Sequence, residues 1–79
     1  MSLSDTLKIT RQRAFLSQEA FASELNVSVA TINRWENGKS KPNLTAMKSI
    51  NEFCKTHNLP YDVIEKEWFA RSLEEKNND

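Results

Sequence analysis

Residues 18–38 read QEAFASELNVSVATINRWENG. Apolar residues recur in it at helical spacing, in two short runs that cover residues 18–25 and 29–36. A serine stands directly before each run, Ser17 before the first and Ser28 before the second. A serine hydroxyl can accept a hydrogen bond from a free amide of the following turn, so both serines are predicted N-caps. The pattern therefore predicts two short helices in close succession.

The connection between the two helices meets the demands of a tight crossing. Asn26 lies where the chain must turn, and Asn tolerates the left-handed conformation better than most residues. Ala22 provides a small side chain where the second helix crosses the first. The apolar residues predicted to be buried between the helices are Phe21, Leu25, Val27, Ile32 and Trp35. The opposite face of the second helix is polar or small and carries Ser28, Val29, Ala30, Asn33 and Arg34. Such a face fits the DNA major groove, which is about 12 Å wide.

The rest of the chain predicts three more helices and gives almost no strand signal. The first covers about Asp5–Ala14 and the fourth, capped by Asn43, about Leu44–Thr56. The fifth covers about residues 61–76. The predicted fold class is all-α, a compact five-helix bundle. A chain of 79 residues fits one domain spanning residues 1–79.

Net charge is zero, but the charges are unevenly distributed along the chain. Residues 1–48 carry seven Lys and Arg against four Asp and Glu, and residues 49–79 carry four against seven. A local basic face can bind phosphate even when the total charge is neutral. The alternative is that this uneven distribution is ordinary scatter of charge over a protein surface.

Several classes of site are not predicted. Cys54 and His57 are the chain's only cysteine and histidine, and a structural zinc site needs about four ligands. No apolar run approaches the roughly 20 residues that cross a bilayer, so no membrane partner is expected. Neither a nucleophile–base pair nor a Gly-rich phosphate loop is recognisable, so we expect no enzymatic activity, no cofactor and no small-molecule ligand.

The stretch from Gln18 to Gly38 resembles the helix-turn-helix of phage repressor and Cro-like proteins, the XRE family, with the unit itself at residues 18–37. The likeness extends from about Leu7 to Tyr61 and is strongest in INRWENGK, residues 32–39. The resemblance implies a five-helix domain that binds double-stranded operator DNA as a symmetric homodimer, with its third helix in the major groove. It also implies a cytoplasmic, DNA-associated protein of a prokaryotic cell or phage.

The resemblance implies roles for individual residues that occupy the family's functional positions. The positions that match base-contacting residues are Ser28, Val29, Ala30, Asn33 and Arg34. The positions that match DNA-backbone contacts are Gln18, Asn37, Lys39 and Lys41. Arg11 and Glu36 match an ion pair that ties the first helix to the end of the third. The chain departs from the family at Asn26, where Gly is usual, and in a short loop after Gly38, which carries Lys39 and Lys41.

Side-chain chemistry narrows the expected base contacts. Arg34 is suited to a bidentate contact with guanine, and Asn33 can pair with adenine. Val29 and Ala30 offer only apolar contact, for instance to a thymine methyl group. A single copy of this face specifies sequence weakly, which favours a dimer on two half-sites.

The fifth helix carries two apolar arcs. Tyr61, Ile64 and Trp68 lie on one arc, which can close the core. Phe69 and Leu73 lie on the other, and we expect them to contribute to a homodimer contact. In the alternative, the helix bends back and buries both arcs.

The sequence leaves three functions open. The first is a stand-alone transcriptional regulator of repressor type on a palindromic site. The second is an antitoxin or co-regulator module that binds a protein partner. The third is the DNA-targeting domain of a longer protein.

Overall fold

The structure, a computed structural model, describes the backbone of residues 1–77 and the side chains of residues 1–71. Within these residues all regular structure is helical. The helices are α1 (Leu3–Arg13), α2 (Gln18–Leu25), α3 (Val29–Glu36), α4 (Leu44–Thr56) and α5 (Asp62–Asn77). The predicted all-α, five-helix architecture is confirmed, and α2, α3 and α4 have the predicted bounds.

Capping residues explain where the helices begin. The side-chain oxygens of Ser17, Ser28 and Asn43 accept hydrogen bonds from the backbone N–H three residues on, at 3.1, 3.1 and 2.9 Å. Ser2 caps α1 in the same way, accepting from the Asp5 N–H at 3.2 Å. The first helix therefore begins at Leu3, two residues before the predicted Asp5, because Ser2 acts as its N-cap.

The first four helices end in a common geometry. The residue after the last turn is left-handed in each case, and these residues are Phe15, Asn26, Gly38 and Asn58. At the end of α2, Asn26 has φ 59° and ψ 43°, and its N–H donates to the Ser23 carbonyl at 3.2 Å. The Val27 N–H donates to the Ala22 carbonyl at 3.0 Å, which completes a Schellman motif. Asn26 thus makes the predicted tight turn, and α3 begins three residues later.

One apolar core holds α2 and α3 against the other helices. Its fully buried members include Phe21 of α2, Ile32 of α3 and Ile50 of α4, each with 0% exposure. The Phe21 and Phe53 rings meet edge to face, with centroids 4.9 Å apart. Because the inner faces of α2 and α3 are fixed in this core, the outer face of α3 is held in one orientation toward solvent.

The α5 helix buries only one of its two apolar arcs. Ile64 is fully buried, and Tyr61 and Trp68 are half-buried against the core. Phe69 on the other arc is 57% exposed. The α5 helix therefore does not bend so as to bury Phe69 against the rest of this chain. Leu73, predicted to share that arc, lies outside the residues whose side chains are described.

Candidate nucleic-acid interface

The outer face of α3 is formed by the side chains that the sequence placed there. Those exposed to solvent are Ser28, Val29, Ala30, Asn33 and Arg34. Their helix is amphipathic, because Ile32 and Trp35 on its other side are 0% and 4% exposed. Val29 is apolar and is 44% exposed on this face. The Ser28 hydroxyl is engaged as the helix cap and also contacts Thr31 Oγ1 at 2.8 Å.

Glu36, the last residue of α3, forms a two-pronged ion pair with Arg11 of α1. The guanidinium Nε and Nη2 donate to Glu36 Oε2 and Oε1 at 2.7 and 2.9 Å. Both side chains are largely buried, at 12% and 4% exposure. The hydrogen bonds to Glu36 raise the pKa of Arg11 and outweigh the opposing effect of burial. A third N–H, on Nη1, donates to the Leu16 carbonyl at 2.9 Å, so the pair fixes the α1–α2 connection to the end of α3.

Three side-chain amides extend from this ion pair across the interface, and we call Gln18, Asn33 and Asn37 the amide chain. Gln18 Nε2 donates to Glu36 Oε1 at 3.1 Å. Gln18 Oε1 accepts from Asn33 Nδ2 at 3.5 Å, a long contact, and Asn33 Oδ1 accepts from Asn37 Nδ2 at 3.0 Å. The structure thus brings together three of the predicted DNA-contacting residues. No local sequence pattern predicts these bonds, since Gln18 and Glu36 lie on different helices 18 residues apart.

The loop after α3 is braced by α5. The Trp68 indole N–H donates to the Pro42 carbonyl at 2.6 Å, and Arg71 Nη2 donates to the Gly38 carbonyl at 3.1 Å. Lys41 Nζ lies over the Trp68 ring, 4.6 Å from its centroid. Lys39 is exposed and Lys41 is half-buried, so the two predicted phosphate contacts differ in accessibility. Trp68 lies on the predicted core arc of α5, but helical periodicity does not predict its bond to Pro42.

Other reactive groups lie apart from this face. Cys54 is buried, and burial raises the pKa of its thiol to about 11. His57 Nε2 lies 2.8 Å from Glu24 Oε1. Across the part of the chain that the structure describes, no three potential metal-ligating side chains come together. Within the same residues, every helix is too short or too polar to cross a membrane.

Comparison with known proteins identifies the family. A helix-turn-helix family model matches residues 7–57. The HTH-type transcriptional activator BcrR of Enterococcus faecalis is 38% identical over 53 residues, which cover 67% of this chain and 26% of BcrR. The type II methyltransferase M.SsoII of Shigella sonnei is 34% identical over 62 residues, which cover 75% of this chain and 16% of the enzyme.

The chain therefore spans only a minor part of each relative. No solved structure gives a significant match. The family match extends over the whole of α2, the Asn26 turn, α3 and α4. This protein belongs to the phage repressor and Cro-like (XRE-type) helix-turn-helix family of DNA-binding domains.

Proposed function

We propose that this chain binds double-stranded DNA sequence-specifically, by inserting α3 into the major groove, and that it acts as a transcriptional regulator. The observation that carries the proposal is the outer face of α3. That face is exposed, holds small or hydrogen-bonding side chains, and is fixed by the buried Arg11–Glu36 pair and the core. We assign the chain a binding role and no catalytic one.

The proposed base contacts follow from the exposed side chains. Arg34 presents a guanidinium that can donate two hydrogen bonds to guanine O6 and N7. Asn33 can donate to N7 of adenine and accept from its N6 amino group. Exposed Val29 and neighbouring Ala30 suit thymine methyl groups, which would explain an apolar side chain at 44% exposure. Ser28, whose hydroxyl is the α3 cap, contributes at the edge of this face.

The proposed phosphate contacts lie at the two ends of the interface. Gln18 begins α2, where backbone N–H groups and the helix dipole favour an anion. Asn37 and Lys39 follow α3, and Lys39 is the exposed cation of this loop. Lys41 contributes less in this proposal, because its ammonium group lies over Trp68. These groups give a local grip on DNA despite zero net charge.

A second copy of the chain completes the proposed site. One bidentate base contact provides roughly 1–3 kcal/mol of discrimination, so a monomer specifies few base pairs. We propose a homodimer on a palindromic site, with repression through occupancy of that site. Phe69 on α5, 57% exposed, and Leu44 at the start of α4, 69% exposed, line one groove and supply apolar surface for the contact. Leu73 is proposed to extend this surface.

Selection of bound sequences from a random double-stranded DNA pool tests the proposal. We expect a palindromic consensus with two half-sites about one helical turn apart. Replacing Phe69 and Leu73 with Lys should abolish the dimer in sedimentation and reduce the selected site to a single half. Enrichment of no sequence would contradict DNA recognition. A single half-site from the unmodified chain, with a monomeric sedimentation coefficient, would contradict the dimer alone.

A second candidate function is supported by the lengths of the relatives. The matched segments make up 26% of the activator and 16% of the methyltransferase, so similar domains occur within longer proteins. In that case the chain is the DNA-targeting domain of a larger protein, and the interface proposed above is the same. Because the interface is the same, the consensus obtained by selection separates the stand-alone regulator from the DNA-targeting domain poorly. The length of the natural gene product separates them better.

A further inference from the structure

The amide chain has a fixed hydrogen-bond direction, and Glu36 sets it. An ionised carboxylate only accepts hydrogen bonds, so the group that Gln18 turns toward Glu36 must be its NH2. The observed contact is from Gln18 Nε2 to Glu36 Oε1, at 3.1 Å. The carbonyl end of the Gln18 amide must then face away from Glu36, toward Asn33.

The orientation of the Gln18 amide determines the orientation of the Asn33 amide. Because Gln18 presents Oε1, the end of the Asn33 amide that faces it must be the NH2, as observed at 3.5 Å. The Asn33 oxygen then faces Asn37, whose NH2 donates to it at 3.0 Å. Each amide in the series has one orientation in which every donor faces an acceptor. The flipped orientation places donor against donor or acceptor against acceptor. Glu36 itself is held in place by Arg11, with a side chain only 4% exposed.

These contacts leave Asn33 half of its hydrogen-bonding capacity. An Asn side chain has two amide hydrogens and two oxygen lone pairs, and the amide chain uses one of each. The second hydrogen and the second lone pair remain for a base, and the side chain is exposed. One donor and one acceptor side by side match N7 and the N6 amino group of adenine.

On the basis of the proposed DNA binding, we propose that Glu36 and Gln18 are positioning residues that orient the Asn33 amide and so determine its base preference. In the fixed orientation, the Asn33 amide can form both hydrogen bonds with an adenine on one strand of the site. The reversed orientation places an acceptor against N7 and a donor against the N6 amino group, which rejects adenine. A freely rotating amide can instead donate a single bond to guanine O6 or N7. Restraint of the amide therefore excludes guanine at this position.

The test compares Gln18→Met with Gln12→Met. Methionine has nearly the length of glutamine but carries no amide, so Gln18→Met interrupts the amide chain and leaves the Arg11–Glu36 pair intact. Gln12 is exposed on α1, so Gln12→Met makes the same chemical change away from the interface. Asn33→Ala identifies the base pair that Asn33 contacts, as the position of the selected consensus that loses its preference.

In selection from random DNA, we expect Gln18→Met to lower the preference for adenine over guanine at that one position by roughly five- to tenfold, within the range of one lost base contact. All other positions should keep their preferences. Without DNA, the side-chain NH2 signals of Asn33 in a 1H–15N NMR spectrum should shift in Gln18→Met and stay in place in Gln12→Met. Uniform weakening at all positions would assign Gln18 to phosphate contact only and overturn the inference.

An unchanged consensus in Gln18→Met would also overturn it, as would an Asn33→Ala variant that loses no position. These results leave the proposed function standing. If the unmodified chain enriches no sequence, the proposed function fails and the inference fails with it. The NMR comparison then still shows whether the amide chain exists.

Discussion

Phe15 and Asn26 have the same left-handed backbone angle, φ 59°, at the ends of neighbouring helices. Asn is among the residues that adopt this conformation readily, whereas a bulky aromatic residue there is strained. The Phe15 ring gains nothing from packing, because it is 95% exposed. Fold stability therefore offers no reason for phenylalanine at this position.

We predict that Phe15→Gly raises the free energy of unfolding by about 1 kcal/mol, because glycine removes the clash of Cβ in the left-handed conformation. Phe15→Ala is the matched control, since it removes the ring but keeps Cβ, and it should leave stability nearly unchanged. Urea denaturation measures both. An equal gain in the two variants would show that exposure of the ring, and not backbone strain, is what matters.

Cys54 links stability to alkaline pH. In the folded chain burial raises the pKa of the thiol from 9.0 to about 11. Above pH 9 the unfolded chain loses the thiol proton while the folded chain keeps it, so ionisation favours unfolding. This contribution to stability is complete below pH 9 and is lost as the pH rises toward 11.

We therefore expect the free energy of unfolding to fall between pH 9 and pH 11, and to fall less steeply in Cys54→Ala. The two proteins are compared by urea denaturation at intervals across this range. Identical slopes would contradict a buried, neutral thiol. As an independent check at neutral pH, a thiol reagent should modify native Cys54 far more slowly than the unfolded chain.

Local sequence patterns were sufficient to predict where the helices lie along the chain. They were insufficient to predict which side chains of different helices contact each other. The first residues of α2, α3 and α4 followed from Ser17, Ser28 and Asn43, because a cap acts within one turn of its own helix. The Trp68–Pro42 bond and the amide chain join different elements, and no periodicity in the sequence encodes such pairs. Arg11 and Glu36, 25 residues apart, were paired only through the family resemblance.

The Trp68–Pro42 bond ties α5 to the loop after α3, and its loss should weaken the fold. Trp68→Phe keeps an aromatic ring at this position of α5 but removes the indole N–H that donates to the Pro42 carbonyl at 2.6 Å. We expect a loss of about 1 kcal/mol in the free energy of unfolding, since Pro42 is buried and its acceptor loses a partner. Amide hydrogen exchange at Lys39 should become faster, because the loop is less tightly held. Unchanged stability and unchanged exchange would show that α5 does not brace the loop.

Over the whole molecule, the surplus of basic residues lies in the half of the chain that carries the proposed interface. Residues 1–48 have about three positive charges in excess, and residues 49–79 about three negative. Zero net charge therefore does not argue against DNA binding, because phosphate contact depends on local charge. The distribution was legible in the sequence, but the accessibility of each cation was not, since that depends on packing such as Lys41 over Trp68.

The salt dependence of binding should report that difference in accessibility. A lysine that neutralises one phosphate contributes about 1 to the slope of log affinity against log salt concentration. We expect Lys39→Ala to reduce the slope by about 1 and Lys41→Ala to reduce it clearly less. Titrations at several salt concentrations measure both. A larger effect at Lys41 would contradict this order and assign the phosphate contact to Lys41.

The most direct test of base recognition by α3 is the affinity of Arg34→Ala for the selected site and for random DNA, measured by fluorescence anisotropy at one salt concentration. Arg13→Ala, which removes an exposed arginine of α1, is the control for lost charge. We predict that Arg34→Ala lowers affinity for the selected site by roughly tenfold or more while random DNA is bound nearly as before. Arg13→Ala should change both alike. Equal losses of affinity for the two DNAs with Arg34→Ala would contradict base recognition by this face of α3.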